Sequence, residues 1–483
     1  MLVRCPPNAA GAICPPYAIE IHIFPFHGQA SAKGGLPMDA FLEELRRRFH
    51  GAADFTERSI KAAGWDCTLL FIDGLTSGSE IADFVIRPLG RMTEALAPAE
   101  LLKRTLSDGT EAASVSLCAD GEDAETKLLN GCCVLVVPGA GAAAFEVKSG
   151  EKRGPAEPEV ESTTRGPKDA FTETARTNTA LLRRHLRSSG LRLWETVVGW
   201  ISRTGVSLLW LEGLTDPETV ARMQDRISAI DTEDLLTPAA VERLLPGRRR
   251  TAFPLLQYTE RTDKFAAGLL AGRVGIFVDG LPVGYLAPVN LGYLLEAAED
   301  KGTDFLSARF LKVLRLIALG CALLLPALYV AMAEYHQEML PTPLLEAIIE
   351  SKQKVPFSTA VEILGLLTAF ELLQEAGLSA PKAVSQPVSI IGGLVVGTAA
   401  VEANLISPAA LILVSAAGIS GFALPGKSFT DAVRLCRFAL TVCAALAGLC
   451  GLTLGLLALL VHLSALSSFD RSYLAPYSEL KRK

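Results

Sequence analysis

The hydrophobic pattern splits the chain in two near Leu306. Before it, short apolar runs alternate with charged, amphipathic stretches, the signature of strands and helices on a shared core. After it, apolar runs approach the roughly 20 residues a helix needs to cross a bilayer's hydrocarbon core. Val313–Ala333, Val384–Ile406 and Pro408–Pro425 each read as one span, the last two joined by a tight Ser407-Pro408 turn. Phe438–Leu466 reads as a longer, tilted span. Thr359–Leu378 has a span's length but carries Glu362, Glu371 and Glu375. An acidic residue near a helix centre costs about 3 kcal/mol, against roughly half a kcal/mol returned by each Leu or Ile. That helix should therefore face protein or water rather than lipid. The membrane region holds four helices, or five if this one crosses.

The soluble part repeats itself. Leu69-Leu70-Phe71-Ile72-Asp73-Gly74-Leu75-Thr76 matches Leu208-Leu209-Trp210-Leu211-Glu212-Gly213-Leu214-Thr215. Leu128-Leu129-Asn130-Gly131 with Cys133–Val137 echoes Leu269-Leu270-Ala271-Gly272 with Val274–Val278. The offsets, Leu69 to Leu208 and Leu128 to Leu269, are 139 and 141 residues. Unrelated matches would rarely share so similar an offset, which predicts two subdomains of one fold. The expected fold class is an α/β soluble region of two similar duplicated subdomains, with layers covering both sheet faces, followed by an all-α transmembrane helical bundle. Each acidic-Gly pair ends a strand in a turn that needs positive φ. Helices should follow from Glu80 to Met92 and from Pro217 to Ile230.

The expected organisation is a disordered leader over 1–35, a first subdomain over 36–145 and a linker over 146–168. A second subdomain over 169–305, a transmembrane region over 306–468 and a C-terminal tail over 469–483 complete it. A basic helix carries Arg176, Arg183, Arg184 and Arg187, either as a solvated face or as a surface for anionic headgroups or a partner. Arg309, Lys312 and Arg315 flank the first span and favour the cytoplasmic side for the N-terminal region. Lys481-Arg482-Lys483 suggests the same side for the C-terminus. The pairs Gly393/Gly397 and Gly451/Gly455 are GxxxG spacings that let helix backbones approach closely.

Composition narrows the chemistry. A net charge of −6 argues against nucleic acid, whose binding rests on cationic contacts to phosphate. Ten cysteines occur without a CxxC pair and read as small buried hydrophobes, with Cys436, Cys443 and Cys450 on one helix face. Gly421-Phe422-Ala423-Leu424-Pro425-Gly426-Lys427-Ser428 satisfies the P-loop letters, but it ends a membrane span where that motif requires a strand. No nucleotide cofactor, metal or other cofactor is expected. His336 reads as part of an interfacial cap, and no catalytic constellation announces an enzyme.

A series of motifs in order carries a family resemblance. It runs through Glu157-Pro158-Glu159-Val160-Glu161, Arg165-Gly166-Pro167-Lys168-Asp169-Ala170-Phe171-Thr172-Glu173 and Arg176-Thr177-Asn178-Thr179. Phe253-Pro254, Thr259-Glu260-Arg261-Thr262-Asp263 and Leu270-Ala271-Gly272-Arg273-Val274 follow. In the membrane part come Leu325-Pro326-Ala327-Leu328-Tyr329, Val355-Pro356-Phe357, Phe370 to Gly377 and Val396 to Val401. Across about 37–477 the chain resembles the GerA-type spore germination proteins, the A subunits of nutrient germinant receptors. Lys168-Asp169-Ala170, where the family usually shows Arg-Glu-Gly, is one departure. The resemblance implies a spore inner-membrane protein acting with a permease-like B subunit and a lipoprotein C subunit. It also implies a homo-oligomeric ring that passes ions once nutrient binds. A sibling that assists dipicolinate release and a secondary transporter are the alternative readings. In such a ring Glu362, opposite Glu371 and Glu375 on the helix, is the expected lumen-facing group. The other two are expected to make inter-helix hydrogen bonds or ion pairs.

Overall fold

The computed structural model describes residues 38–475 apart from 93, 108, 149–157, 159–160, 162–165, 247–250, 298–299, 301–302 and 380–396. The expected leader, most of the linker, Gly393 and the first half of the Val384–Ile406 run lie outside the described residues.

Two five-stranded sheets organise the soluble part. The first comprises β1 (Phe55–Ala62), β2 (Trp65–Ile72), β3 (Val115–Cys118), β4 (Cys132–Val137) and β5 (Gly141–Glu146). The second comprises β6 (Leu191–Val198), β7 (Thr204–Leu211), β8 (Gln257–Thr259), β9 (Val274–Val278) and β10 (Gly284–Ala287). Their spatial orders are β1-β2-β4-β5-β3 and β6-β7-β9-β10-β8, the same arrangement twice. The ladders are antiparallel. The repeated motifs end the second strand of each sheet, where Gly74 (φ +89°) and Gly213 (φ +81°) supply the left-handed turn.

Both faces of each sheet are covered, which explains why the central strands are apolar on successive residues rather than alternating. In the first sheet Leu69, Leu135 and Phe145 face Val85, Leu89 and Leu101. Leu70, Val134 and Val136 face the opposite way, onto Phe41, Leu45 and Leu128. In the second sheet Leu208 and Ile276 pack on Val220, Met223 and Val241 of helices Pro217–Ser228 and Pro238–Leu244. Its other face, with Leu209, Phe277 and Leu286, packs on Phe265 and Leu269 and joins the helical region through Phe429, Leu463 and Tyr473. Burial pushes the Cys67 thiol up to about 11 and the Cys118 thiol up to about 12, so these cysteines behave as apolar fillers.

Two helices, Phe305–Glu334 and Lys427–Ala465, are long and apolar enough to cross a membrane, and Pro408–Phe422 is a shorter apolar helix. The Lys427–Ala465 helix is not one rod. Ala447 (φ −142°, ψ 20°) and Gly448 (φ 59°, ψ −138°) break it. A Cβ on Gly451 would collide with the Cys443 carbonyl oxygen, and one on Gly455 would lie 3.5 Å from the Cys443 Cβ. Residues before and after the break therefore lie side by side. The element is an antiparallel helical hairpin with arms of roughly 30 and 25 Å at 1.5 Å per residue. Both open ends join the second subdomain, Phe429 and Leu463 sharing one cluster with Phe253 and Leu255.

This corrects two expectations. Phe438–Leu466 contains the reversal and is not one tilted span. Cys450 sits past the break and cannot share a helix face with Cys436 and Cys443. The physical cause is a glycine at positive φ followed by glycines small enough for backbone contact.

The other helices run between the same two ends. The first long helix leaves the second subdomain and reaches Tyr335, whose hydroxyl donates to the Ala445 carbonyl (2.6 Å) near the hairpin's tip. Thr359–Ser379 and Pro408–Phe422 both begin near that far end and return. Large apolar side chains such as Ile412, Ile419, Leu446 and Leu454 point outward, at 60–77 % exposure, a surface suited to lipid. Of the Val384–Ile406 run, the described part is a short helix, Gly397–Glu402, that turns at Asn404 (φ +54°). The described start of the expected tail is not loose: Phe469 and Tyr473 are buried against the second subdomain.

Candidate functional site

The polar groups of the helical region lie mostly at helix ends. Ser407 begins the Pro408–Phe422 helix, and its hydroxyl accepts from the Ala410 N–H (3.3 Å). The Ser407 N–H itself donates to Glu362, whose side chain is fully enclosed. A carboxylate at a helix N-terminus is stabilised by unpaired N–H groups and the helix dipole. Lys352 Nζ stands 3.8 Å from the other Glu362 oxygen. Glu334 repeats the device, accepting from the Ala360 N–H (2.8 Å) at the start of the Thr359–Ser379 helix. Glu362 is therefore turned into the protomer, and the expectation that it faces a lumen does not hold for the folded chain. Its small neighbours Thr359 and Ala360 form the first turn of the Thr359–Ser379 helix.

Glu371 bridges two helices. Arg437 Nη2 donates to it at 2.6 Å and Arg434 Nη2 donates to its other oxygen. Arg437 is 2 % exposed, so this is a desolvated pair in which each charge needs the other. Arg434 also binds Asp431 at 2.9 Å. Glu375, one turn on, is exposed and shares a shallow pocket with Lys427 and Asp431. In the sequence Arg434 and Arg437 register only as loop charges. The signal for their role is their three-residue spacing at the start of an apolar helix, which puts both on one face in need of carboxylate partners.

The glycine pairs act within the protomer where they are described. Gly397 lies against Leu411, and Gly451 and Gly455 close the hairpin on Cys443 and Leu440. The basic helix, Ala175–His185, is split: Arg176 and Arg183 are tied into the protein, whereas Arg184, and Arg187 just past the helix, are exposed. Arg183 is buried and holds Asp54 with both ends of its guanidinium, across the boundary between subdomains. Arg176 binds Asp73 (3.2 Å) and Glu195 (3.1 Å), and Arg187 donates to Asn130 (3.0 Å). The P-loop letters fall on the end of one helix, a turn with Gly426 at φ +84° and the start of another. A helix precedes that loop where the P-loop motif requires a strand.

Two like sheets feeding a bundle that holds two helices long and apolar enough to cross a membrane, braced by ion pairs between helices, are the architecture of a membrane protein with a large N-terminal head. Residues 43–483 match the family described as Bacillus/Clostridium GerA spore germination protein, and the chain belongs to that family. It is 35 % identical over 445 residues to "Uncharacterized membrane protein YfkQ" of Bacillus subtilis (strain 168), covering 91 % of this chain and 86 % of that one. It is 33 % identical over 442 residues to "Spore germination protein KA" of the same organism, covering 90 % and 80 %. With "Spore germination protein GerLA" of Bacillus cereus it shares 31 % identity over 438 residues, covering 90 % and 89 %. Among solved structures, the N-terminal domain of the A subunit of the Bacillus megaterium spore germinant receptor GerK3 matches at 26 % identity with a TM-score of 0.40. That match covers 51 % of this chain and 92 % of that domain.

Proposed function

We propose that this chain is the A subunit of a nutrient germinant receptor in the spore inner membrane, with its soluble head on the cytoplasmic side. In this reading it is not an enzyme. It assembles with copies of itself, a permease-like subunit and a lipoprotein, and its helices form an ion pathway that opens when nutrient binds. The observation that carries the reading is the family match from residue 43 to the end of the chain, with spore germination proteins among the relatives. Glu375 is the favoured pathway carboxylate, because Glu362 caps a helix inside the protomer and Glu371 is held by two arginines. The two subdomains, with their shared strand order, descend from one duplicated unit.

The test uses spores of a strain in which this chain is the sole A-type subunit. Exposed to a nutrient mixture, they should release monovalent cations, and spores lacking the chain should not. Glu375→Lys at normal protein level should slow the release. Unchanged release from spores lacking the chain refutes the receptor reading. Unchanged release with Glu375→Lys removes that residue from the pathway.

A further inference from the structure

A cavity of about 600 Å³ lies where the second subdomain meets the near ends of the membrane helices. That volume is within the range of small-ligand sites, roughly 300–1,000 Å³. One wall is apolar: Phe370 and Phe422, with ring centroids 6.3 Å apart, line it together with Leu256. The opposite wall is the start of the hairpin's first arm, whose opening N–H groups have no side-chain cap. Lys427 begins that arm and is exposed to the cavity, while Arg434 and Arg437 follow on the same side.

The polar wall is built rather than incidental. Arg437 is 2 % exposed and Gln257 is 7 % exposed. Both line the cavity, and the Arg437 Nε and the Gln257 Oε1 have no hydrogen-bond partner among the described residues. A buried polar atom without a partner is costly, and a site lined by several of them suits a polar occupant. Lys264, Lys427, Arg434 and Arg437 face Glu161, Asp431, Glu371 and Glu375, four cations against four carboxylates, and among the described residues Lys427 is the cation that forms no ion pair. Lys264 is taken by Glu161 at 2.6 Å, and the two arginines share Glu371.

We propose that this cavity binds a phosphate-bearing amphiphile. The phosphate would sit at the N-terminus of the hairpin's first arm, with Lys427 and the unpartnered Arg434 Nε beside it. The apolar body would lie between Phe370 and Phe422. Donors converging from several directions onto a helix N-terminus favour a tetrahedral, multi-oxygen anion. The source is either the head of an anionic lipid or a soluble organophosphate. Because the walls come from both the soluble region and the helices, the occupant ties the two together. This inference is independent of ion conduction, so each can fail without the other.

The experiment uses the full chain in phosphatidylcholine nanodiscs, titrated with phenyl phosphate and followed by calorimetry. Saturable binding is expected, with inorganic phosphate weaker because it lacks the apolar body. Lys427→Gln, at an exposed position, should weaken binding about tenfold, the usual scale for one charge-assisted hydrogen bond. Gly421→Leu supplies a steric block. Gly421 lines the cavity, and a Cβ there meets nothing within 4 Å, so leucine enters the cavity without a backbone clash. Leucine is also a better helix former than glycine, so the fold should hold. This variant should lose phenyl phosphate binding while its melting temperature does not fall. Competition by nanodiscs containing phosphatidylglycerol assigns the site to lipid, and binding that persists in them assigns it to a soluble organophosphate. Absence of saturable binding by the wild type, or equal affinity in wild type and Gly421→Leu, overturns the proposal.

Discussion

Replacing Arg183 by methionine should be among the most damaging single changes in the soluble region. Its side chain and that of Asp54 are each 1 % exposed. Arg183 Nη2 donates to Asp54 Oδ1 at 2.6 Å, Arg183 Nε donates to Oδ2, and Nη2 also approaches the Leu191 carbonyl at 3.4 Å. Beside this pair the chain segments of the two subdomains exchange backbone bonds: Ala53 N–H donates to Leu193 O (3.0 Å) and Leu193 N–H to Gly51 O (3.1 Å). Methionine fills much of the arginine's volume but strands the Asp54 carboxylate without water or a counter-charge. Removing one partner of a buried pair costs about 3–5 kcal/mol. For a cooperative unit of this size each kcal/mol shifts the melting temperature by roughly 2–4 °C, so the loss should be roughly 6–20 °C. The assay is thermal unfolding of the purified protein in detergent. The double variant Arg183→Met/Asp54→Leu removes both charges and should recover most of the loss, since an apolar replacement of a buried pair is often neutral. A single variant that melts within about 2 °C of wild type, below the shift expected for even 1 kcal/mol, would refute the idea that this pair bolts the subdomains together.

Three further outcomes test the helical region. Gly455→Cys should form a disulfide with Cys443 on oxidation, because a Cβ at 455 lies 3.5 Å from the Cys443 Cβ, within disulfide geometry. In an unbroken helix the two positions would stand about 18 Å apart, so absence of the bond by mass spectrometry argues for a straight rod. Glu362→Ala should lower the melting temperature through the lost cap, with a cost of about 1–3 kcal/mol, and any change in cation release should track the loss of folded protein. Tyr473→Ala removes a fully buried ring from the junction of the chain's last described segment with the second subdomain, and should cost about 3–5 kcal/mol in the same melting assay.

What the sequence made legible follows from period and repetition. Apolar runs flanked by charge located the central strands and the polar helix closely, and the paired acidic-Gly turns predicted equivalent strands in two sheets. Partnership was not legible, because it depends on residues far apart in the chain. Nothing near Arg183 in sequence marks Asp54, 129 positions earlier, as its counter-ion. The hairpin was hidden for a different reason. Its turn is made by glycine and alanine inside an apolar run, with no proline or polar residue to announce it. Gly448, Gly451 and Gly455 at three- and four-residue spacing were the trace, and the GxxxG reading took two of them as a contact between separate helices.

The placement of charge constrains how the soluble head can act on the helices. Arg315 and Lys312 on the first long helix bind Asp300 (2.5 Å) and Glu296 (2.5 Å), so that helix is clamped where it leaves the second subdomain. At the other end of the helical region, the segment after the hairpin returns to the same subdomain. There Ser468 Oγ donates to the Leu255 carbonyl (2.7 Å), and Asp470 and Arg471 pair with Arg222 (3.1 Å) and Asp216 (3.0 Å). The first helix and the hairpin's second arm are thus fastened to the same subdomain, and a rotation of that subdomain carries both. The polar helix has no such fastening among the described residues. It is held to the bundle by Glu371 against Arg434 and Arg437 at one end, by the Glu334 and Glu362 caps at the other, and between them by Ile363 and Leu367, which are buried against Tyr329, Val330, Ala410 and Val414. A displacement of the head therefore reaches the polar helix through the helices it packs on, whose close-packed contacts pass on strain rather than absorb it.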